Sequence, residues 1–283
     1  MLIYAGPSNV MPIRRDMKCL VINLDRSPDR LAHVTAEFVR IGIAFERITA
    51  LDAREHPNLM LQPQHAKYAI RRLSPSEIAC MHSHRACWAV IAHDEAPYGA
   101  VFEDDIVFSA NAGALLADGG WIPTDADAVK LETFFSKTMI QRKRTAVGHG
   151  FSVFRLRRSH MGTGGYILSR QMARDLLDAT ARANAAADDI LFNPVFPTSG
   201  EKTIYQLVPA LCAQDQFMGN TLPSLLFEER EAEWIASGLT TKRRKPLREK
   251  MRVETRRIAE WIVDHCRLRR YTVVPFDPPE AER

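Results

Sequence analysis

The sequence predicts an α/β domain built on a mostly parallel central sheet. Two short apolar runs, Cys19-Leu20-Val21-Ile22 and Gly99-Ala100-Val101-Phe102, have the length and character of buried strands. Stretches of helical periodicity lie between them, each opened by a Ser-Pro pair. The order strand, helix, strand near the N-terminus needs a crossover connection, which makes that pair of strands parallel.

The first strand runs into Asn23-Leu24-Asp25-Arg26, and Ser27 is placed to cap a helix with Pro28 at its first position. Leu31, Val34, Phe38 and Ile41 recur at helical spacing until Gly42 stops the helix. Residues 45–49 read as a second strand, followed by a loop rich in Pro, His and Gln over 52–64. Ser74-Pro75-Ser76-Glu77 has the form of a capping box and opens a helix to about residue 93. The strand at 99–102 ends abruptly in Glu103-Asp104-Asp105. Ala128-Val129-Lys130-Leu131 reads as another strand, and residues 136–150 as a basic, mobile loop. Gly162-Thr163-Gly164-Gly165 opens a short strand, Tyr166-Ile167-Leu168. Ser169 caps a helix to about residue 181, and Ala187-Asp188-Asp189-Ile190-Leu191-Phe192 follows.

Composition narrows the classes. With 283 residues, 46% hydrophobic and 25% charged, the chain is neither a disordered polymer nor collagen nor a coiled coil, and it has room for a sizeable core. Its longest uncharged stretch, residues 1–13, is shorter than the roughly 20 residues that span a bilayer. That stretch has no basic start and carries Gly6, Pro7, Ser8 and Asn9 where a secretory signal needs an apolar core. The cysteines (19, 80, 87, 212 and 266) are odd in number and form no C-x-x-C pair, which speaks for a reducing compartment. Cys80, His84 and Cys87 share one helix face, but three ligands without a fourth make a weak zinc site, and a packed face is the better reading.

The strongest chemical signal is Glu103-Asp104-Asp105. Three consecutive carboxylates at the carboxyl end of an apolar strand repel one another unless a cation sits among them. In open α/β sheets that edge is also where ligands bind. In an extended chain Glu103 and Asp105 share a side, and such hard oxygen donors suit Mn²⁺ or Mg²⁺ shared with substrate phosphates. A solvated acidic turn is the plainer alternative. The turn from Ser27 to Arg30, with Arg26 nearby, suits an anion. No dinucleotide or Walker loop is present. Locally, Glu77 reads as the capping-box acid and His84 as a satisfied core histidine. Two readings suit Asp188 and Asp189: a helix N-terminus, or a general base.

These pieces, in this order, resemble glycosyltransferase family 25, the lipopolysaccharide-core and procollagen galactosyltransferase-like family. The resemblance rests on Val21-Ile22-Asn23-Leu24 with Ser27 and Arg30, and on residues 74–80 with Glu77, then Ser83-His84 and Trp88. It continues through Val101-Phe102-Glu103-Asp104-Asp105, residues 162–169 with Tyr166, and Asp188 before Leu191-Phe192, covering residues 17–228. It implies a GT-A-like nucleotide-binding domain that moves a sugar, often galactose, with inversion from a UDP-sugar to a hydroxyl of a glycan such as lipopolysaccharide core. It implies Glu103 and Asp105 as ligands of Mn²⁺ or Mg²⁺. Asn23, Leu24, Arg26, Arg30, Glu77, Ser83, His84 and Gly164 would surround the donor, and Asp188 or Asp189 would be the base. The family's proline and apolar residue before its late aspartate are replaced here by Ala186-Ala187.

The net charge of +4 is uneven. Residues 242–270 hold 12 Lys+Arg against 4 Asp+Glu, a local charge of +8, leaving −4 for the remainder. Leu247, Met251, Ile258 and Ile262 follow helical spacing, with Arg248, Arg252 and Arg256 mainly off the stripe. A basic amphipathic helix of this kind suits either an anionic membrane surface, through residues 240–270, or the flank of the catalytic body. It lacks the interleaved aromatics of a nucleic-acid platform. The expected plan is a leader over 1–16, a catalytic body over 17–228 and a basic helical tail over 229–283, in a cytoplasmic enzyme peripheral to the inner membrane face. An inactive nucleotide- or glycan-binding scaffold of the same fold is the alternative class. A nucleotidyltransferase is disfavoured for want of a lysine-bearing phosphate loop.

Overall fold

The computed structural model describes residues 17–56, 58–59, 73–181, 184–219, 222 and 268–277. The N-terminal unit forms as the sequence indicates: β1 (Lys18–Asn23), α1 (Pro28–Ile41) and β2 (Glu46–Thr49), with β1 and β2 parallel. Gly42 ends α1 at φ 69°, a left-handed conformation that favours glycine. Ser27 occupies the N-cap position, yet its hydroxyl makes no capping bond; its backbone N–H closes a turn on Leu24 instead. α2 (Pro75–His93) opens with a complete capping box: Ser74 Oγ accepts from the Glu77 N–H at 3.2 Å, and Glu77 Oε2 accepts from the Ser74 N–H at 2.9 Å.

β3 (Tyr98–Glu103) lies parallel beside β1. β4 (Ile106–Phe108) and α3 (Ala112–Leu116) follow, then β5 (Ala128–Lys130), β6 (Glu132–Thr133), β7 (Lys137–Gln141), β8 (Thr145–Gly148) and β9 (Phe151–Arg155). β10 (Gly165–Ser169) leads into α4 (Arg170–Ala179), α5 (Ala187–Phe192) and α6 (Pro197–Gly200). The described chain ends with β11 (Ile204–Val208), β12 (Cys212–Gln214) and β13 (Arg269–Val273). Eight strands form the main sheet, in the order β2-β1-β3-β10-β5-β11-β9-β8. A small sheet, β4-β12-β6, continues from its edge, and β13 pairs with β7.

Alternate residues of the central strands point to opposite faces, and both faces are covered. Leu20, Ile22, Val101, Tyr166 and Leu168 pack with Met81, Trp88 and Ile91 of α2 and with Met172 and Leu176 of α4. Cys19, Val21, Ala100, Phe102 and Ile167 pack on the other side with Val34 and Phe38 of α1. The result is a three-layer α/β arrangement.

Three expectations are corrected. The sheet is mixed: three of its pairings are parallel and four antiparallel, because β10 runs back between β3 and β5 and β9 pairs antiparallel with both β11 and β8. Buried-strand periodicity is the same in either direction, so the sequence carries no sign of this. Residues 136–150, read as a loop, contain β7 and β8; the mostly exposed side chains of β8 and the glycines at 148 and 150 disguise a hairpin. In the tail, β13 returns to the body as a strand, although the expected helix was to run on to the C-terminus. The basic amphipathic stripe and the leader over 1–16 lie outside the described residues. Among the described residues no helix is long and apolar enough to cross a membrane.

Ser74→Ala removes one half of the α2 capping box and is expected to cost about 1 kcal/mol in urea unfolding. An unchanged midpoint would show that the box contributes nothing to this helix.

Candidate active site

The carboxyl ends of β1, β3 and β5 and the start of β10 meet at one edge of the sheet. β3 stops at Glu103, and Asp104 and Asp105 form the turn into β4. The chain is therefore not extended here, and the three acids divide. Arg30, delivered by α1, faces both aspartates: its Nε and Nη2 reach Asp104 Oδ1 at 2.7 and 2.6 Å, and Nη2 reaches Asp105 Oδ2 at 3.0 Å. Asn23 Nδ2 donates to Asp104 Oδ2 at 2.7 Å, so both oxygens of Asp104 are occupied.

Asp105 is different. It is 4% exposed, and its Oδ1 is buried with no hydrogen-bond partner. Burial, then the neighbouring charges of Glu103 and Asp104, push its pKa up to about 7, with Arg30 only partly opposing them. Burial works against the charge on Arg30, but the two aspartates outweigh it and raise its pKa. Glu103 lines the same cleft but has different partners. Burial pushes its carboxyl up, yet His84, Thr163 and Arg30 together hold it below the ordinary range.

His84 is fully buried in a chain of polar groups that ends on Glu103. Trp88 Nε1–H donates to the Tyr166 oxygen at 2.9 Å, and the Tyr166 hydroxyl lies 2.8 Å from His84 Nδ1. The other ring nitrogen, Nε2, faces Glu103 Oε1 at 3.4 Å. Thr163 Oγ1–H donates to the same oxygen at 2.5 Å.

The loop before β10 ties in two further acids. Glu132, fully buried, accepts from the Gly164 N–H at 3.0 Å and from Lys130 Nζ at 3.1 Å. Lys130 also donates to the Gly162 carbonyl and lies 4.5 Å over the Phe192 ring. A Cβ at Gly162 or Gly164 would come within 2.6 or 2.8 Å of the Glu132 carboxylate, so a side chain at either position would have to displace it. Burial raises Glu132 to about 7 despite Lys130. The Gly162 N–H points to Asp188 Oδ2 at 3.4 Å, whereas Asp189 Oδ1 accepts from Asn193 within its own helix. Asp188 is thus the one tied to the loop that holds Glu103.

The cleft beside these groups is lined by Asn23, Leu24, Arg26, Arg30, Ser83 and the acidic triplet, among others. Arg26 is paired with Asp52 across it. Ser83 braces the wall, donating to the Ala79 carbonyl and accepting from the Leu51 N–H. Gly164 contributes only backbone, its carbonyl accepting from the Glu103 N–H. Two expectations change. Glu77 lies in the capping box and not on the cleft, and Arg30 turns inward to neutralise aspartates where the sequence suggested a phosphate ligand. His84, read locally as a core histidine, is buried and also reaches Glu103. Lys130, Glu132 and Thr163 escaped notice, although charged residues two apart on a strand share a face and signal a paired interior group.

The model of glycosyltransferase family 25 (LPS biosynthesis protein) matches residues 16–191. The chain is 35% identical over 231 residues to the lacto-N-neotetraose biosynthesis glycosyltransferase LgtE of Neisseria meningitidis serogroup B, covering 75% of this chain and 81% of that protein. It is 34% identical to LgtB of the same organism, over 69% of this chain and 74% of that one. The lipooligosaccharide biosynthesis protein lic2B of Haemophilus influenzae is 27% identical, over 69% and 75%. The chain belongs to glycosyltransferase family 25.

The placement of Asp105 has a pH signature in the metal-free protein. Folding takes up a proton there between the ordinary value of 3.8 and the folded value of about 7, so this group's contribution makes stability fall as pH rises through that window. Asp105→Asn lacks that dependence. Its unfolding free energy relative to wild type is expected to rise from pH ~4 to pH ~7 and then level off; a difference independent of pH would contradict the placement.

Proposed function

We propose that this family 25 glycosyltransferase moves a hexose, galactose in our reading, from a UDP-sugar to a hydroxyl of a lipopolysaccharide-type glycan, with inversion, in a GT-A-like site. The observation that carries the metal-dependent part is the unpartnered, buried Asp105 Oδ1 at the end of β3. With Glu103 beside it and Asp104 already committed to Asn23 and Arg30, the residues present fit a divalent cation held by Asp105 and Glu103. When bound, Mn²⁺ or Mg²⁺ supplies positive charge against the diphosphate of the donor.

The chain's own groups do the rest. Arg30 pairs with both aspartates and holds them in place. Arg26 and Ser83 shape the donor wall. The loop of Gly162, Thr163 and Gly164, fixed from behind by Lys130 and Glu132, sets the positions of Glu103 and Asp188. Asp188, half-buried at the start of α5, serves as the general base that takes the proton of the acceptor hydroxyl. The names of the relatives, which speak of lacto-N-neotetraose and lipooligosaccharide biosynthesis, support a surface-glycan acceptor for this chain too. We place the enzyme in the cytoplasm, with membrane contact assigned to the basic tail.

Asp105→Ala is expected to abolish transfer while leaving the far-ultraviolet dichroism unchanged; near-wild-type turnover would remove Asp105 from the metal site. Asp188→Asn is expected to lower kcat by about 10²–10⁴ with little change in KM, and Asp189→Asn to do much less. UDP release from UDP-galactose should stop with EDTA and return with Mn²⁺. Release unaffected by EDTA would contradict metal dependence, and no release with any nucleotide-sugar would favour the inactive scaffold.

A further inference from the structure

We propose that Cys80, His84 and Glu103 form a second metal site, one for a soft, thiophilic divalent cation of zinc's kind. Cys80 and His84 lie one turn apart on α2, which puts both side chains toward the end of β3. One ligand atom from each of the three residues, a thiol sulfur, an imidazole nitrogen and a carboxylate oxygen, lies within 4.8 Å of the other two. The sequence had grouped Cys80 and His84 with Cys87, but Cys87 is buried in the hydrophobic core and Glu103 takes the third place.

A second observation points the same way. His84 is fully buried, and its Nε2, aimed at Glu103 Oε1 from 3.4 Å, makes no hydrogen bond. Metal-ligating imidazoles are held through their other nitrogen, and Tyr166, itself held by Trp88, does this at Nδ1. With a metal on Nε2 the imidazole hydrogen would sit on Nδ1, where the Tyr166 oxygen has a lone pair to accept it. Thiolate, imidazole and carboxylate are a donor set that zinc takes with a fourth position left open. The thiolate separates this site from the all-oxygen pair of Glu103 and Asp105, which suits harder ions. Cys80 also lines the donor cleft, so the ion has a path in. Because Glu103 cannot serve both sites, zinc here would withdraw it from the donor centre and block transfer. That consequence rests on the reading above; the site itself does not.

Cobalt(II) is the spectroscopic probe. Titrating the metal-free full chain with Co²⁺ is expected to produce a near-ultraviolet thiolate-to-cobalt band that is absent in Cys80→Ser. In the wild type, Zn²⁺ at about ten times its Kd is expected to slow alkylation of Cys80 about tenfold, read by peptide mass spectrometry, with Mg²⁺ having no effect. No thiolate band, a band unchanged in Cys80→Ser, or alkylation of Cys80 as fast with zinc as without it would overturn the site. Neither readout depends on transfer, so failure of the transferase reading would leave both results standing.

Discussion

The guanidinium of Arg30 lies between Asp104 and Asp105 in a place where little water reaches, and the rest of the site follows from that placement. Arg30 is 9% exposed, Asp104 7% and Asp105 4%. Charges so buried are tolerated only when paired and hydrogen-bonded, and removing one partner typically costs about 3–5 kcal/mol. One cation serves two aspartates here, with the charge of Glu103 close by. Burial first, and then the remaining negative charge, raise the pKa of Asp105. A proton on Asp105 relieves that charge; a divalent cation would relieve it more completely and without neutralising the ligand.

The fold is arranged around this imbalance. β1 and β3 run parallel and end together, so Asn23 at the end of one can brace Asp104 just past the end of the other. α1, which follows β1, brings Arg30 to the same edge. On the opposite face of the sheet, α2 brings His84 to Glu103. The antiparallel β10 matters as much: the glycines before it pass so close to Glu132 that a side chain there would push its carboxylate aside, and Thr163 between them reaches Glu103. A wholly parallel sheet would not place that loop there.

How much of this the sequence shows depends on how local each cause is. β1, α1, α2, β3 and the acid triplet are legible because their signals, apolar runs, a capping box and a left-handed glycine, lie within a few residues of the structure they produce. The roles of polar residues are less local. Arg30 and Asp104 are 74 positions apart, and nothing near either one says that they pair. Lys130 and Glu132 lie two apart, but their purpose depends on glycines 32 positions later. What separates Asp188 from Asp189 is likewise distant, the Gly162 N–H 26 positions earlier. Local reading puts His84 in the core, where it lies, but nothing near it in the sequence says that it faces Glu103.

The central claim is that the partly neutralised carboxylates past β3 hold a divalent ion. Crystals grown with Mn²⁺ and UDP, and measured at the manganese absorption edge, test it directly. The account predicts an anomalous peak within bonding distance of Asp105 Oδ1, with Asp104 still held by Asn23 and Arg30. A bound UDP with no such peak, or a peak that leaves Asp105 untouched, would contradict it.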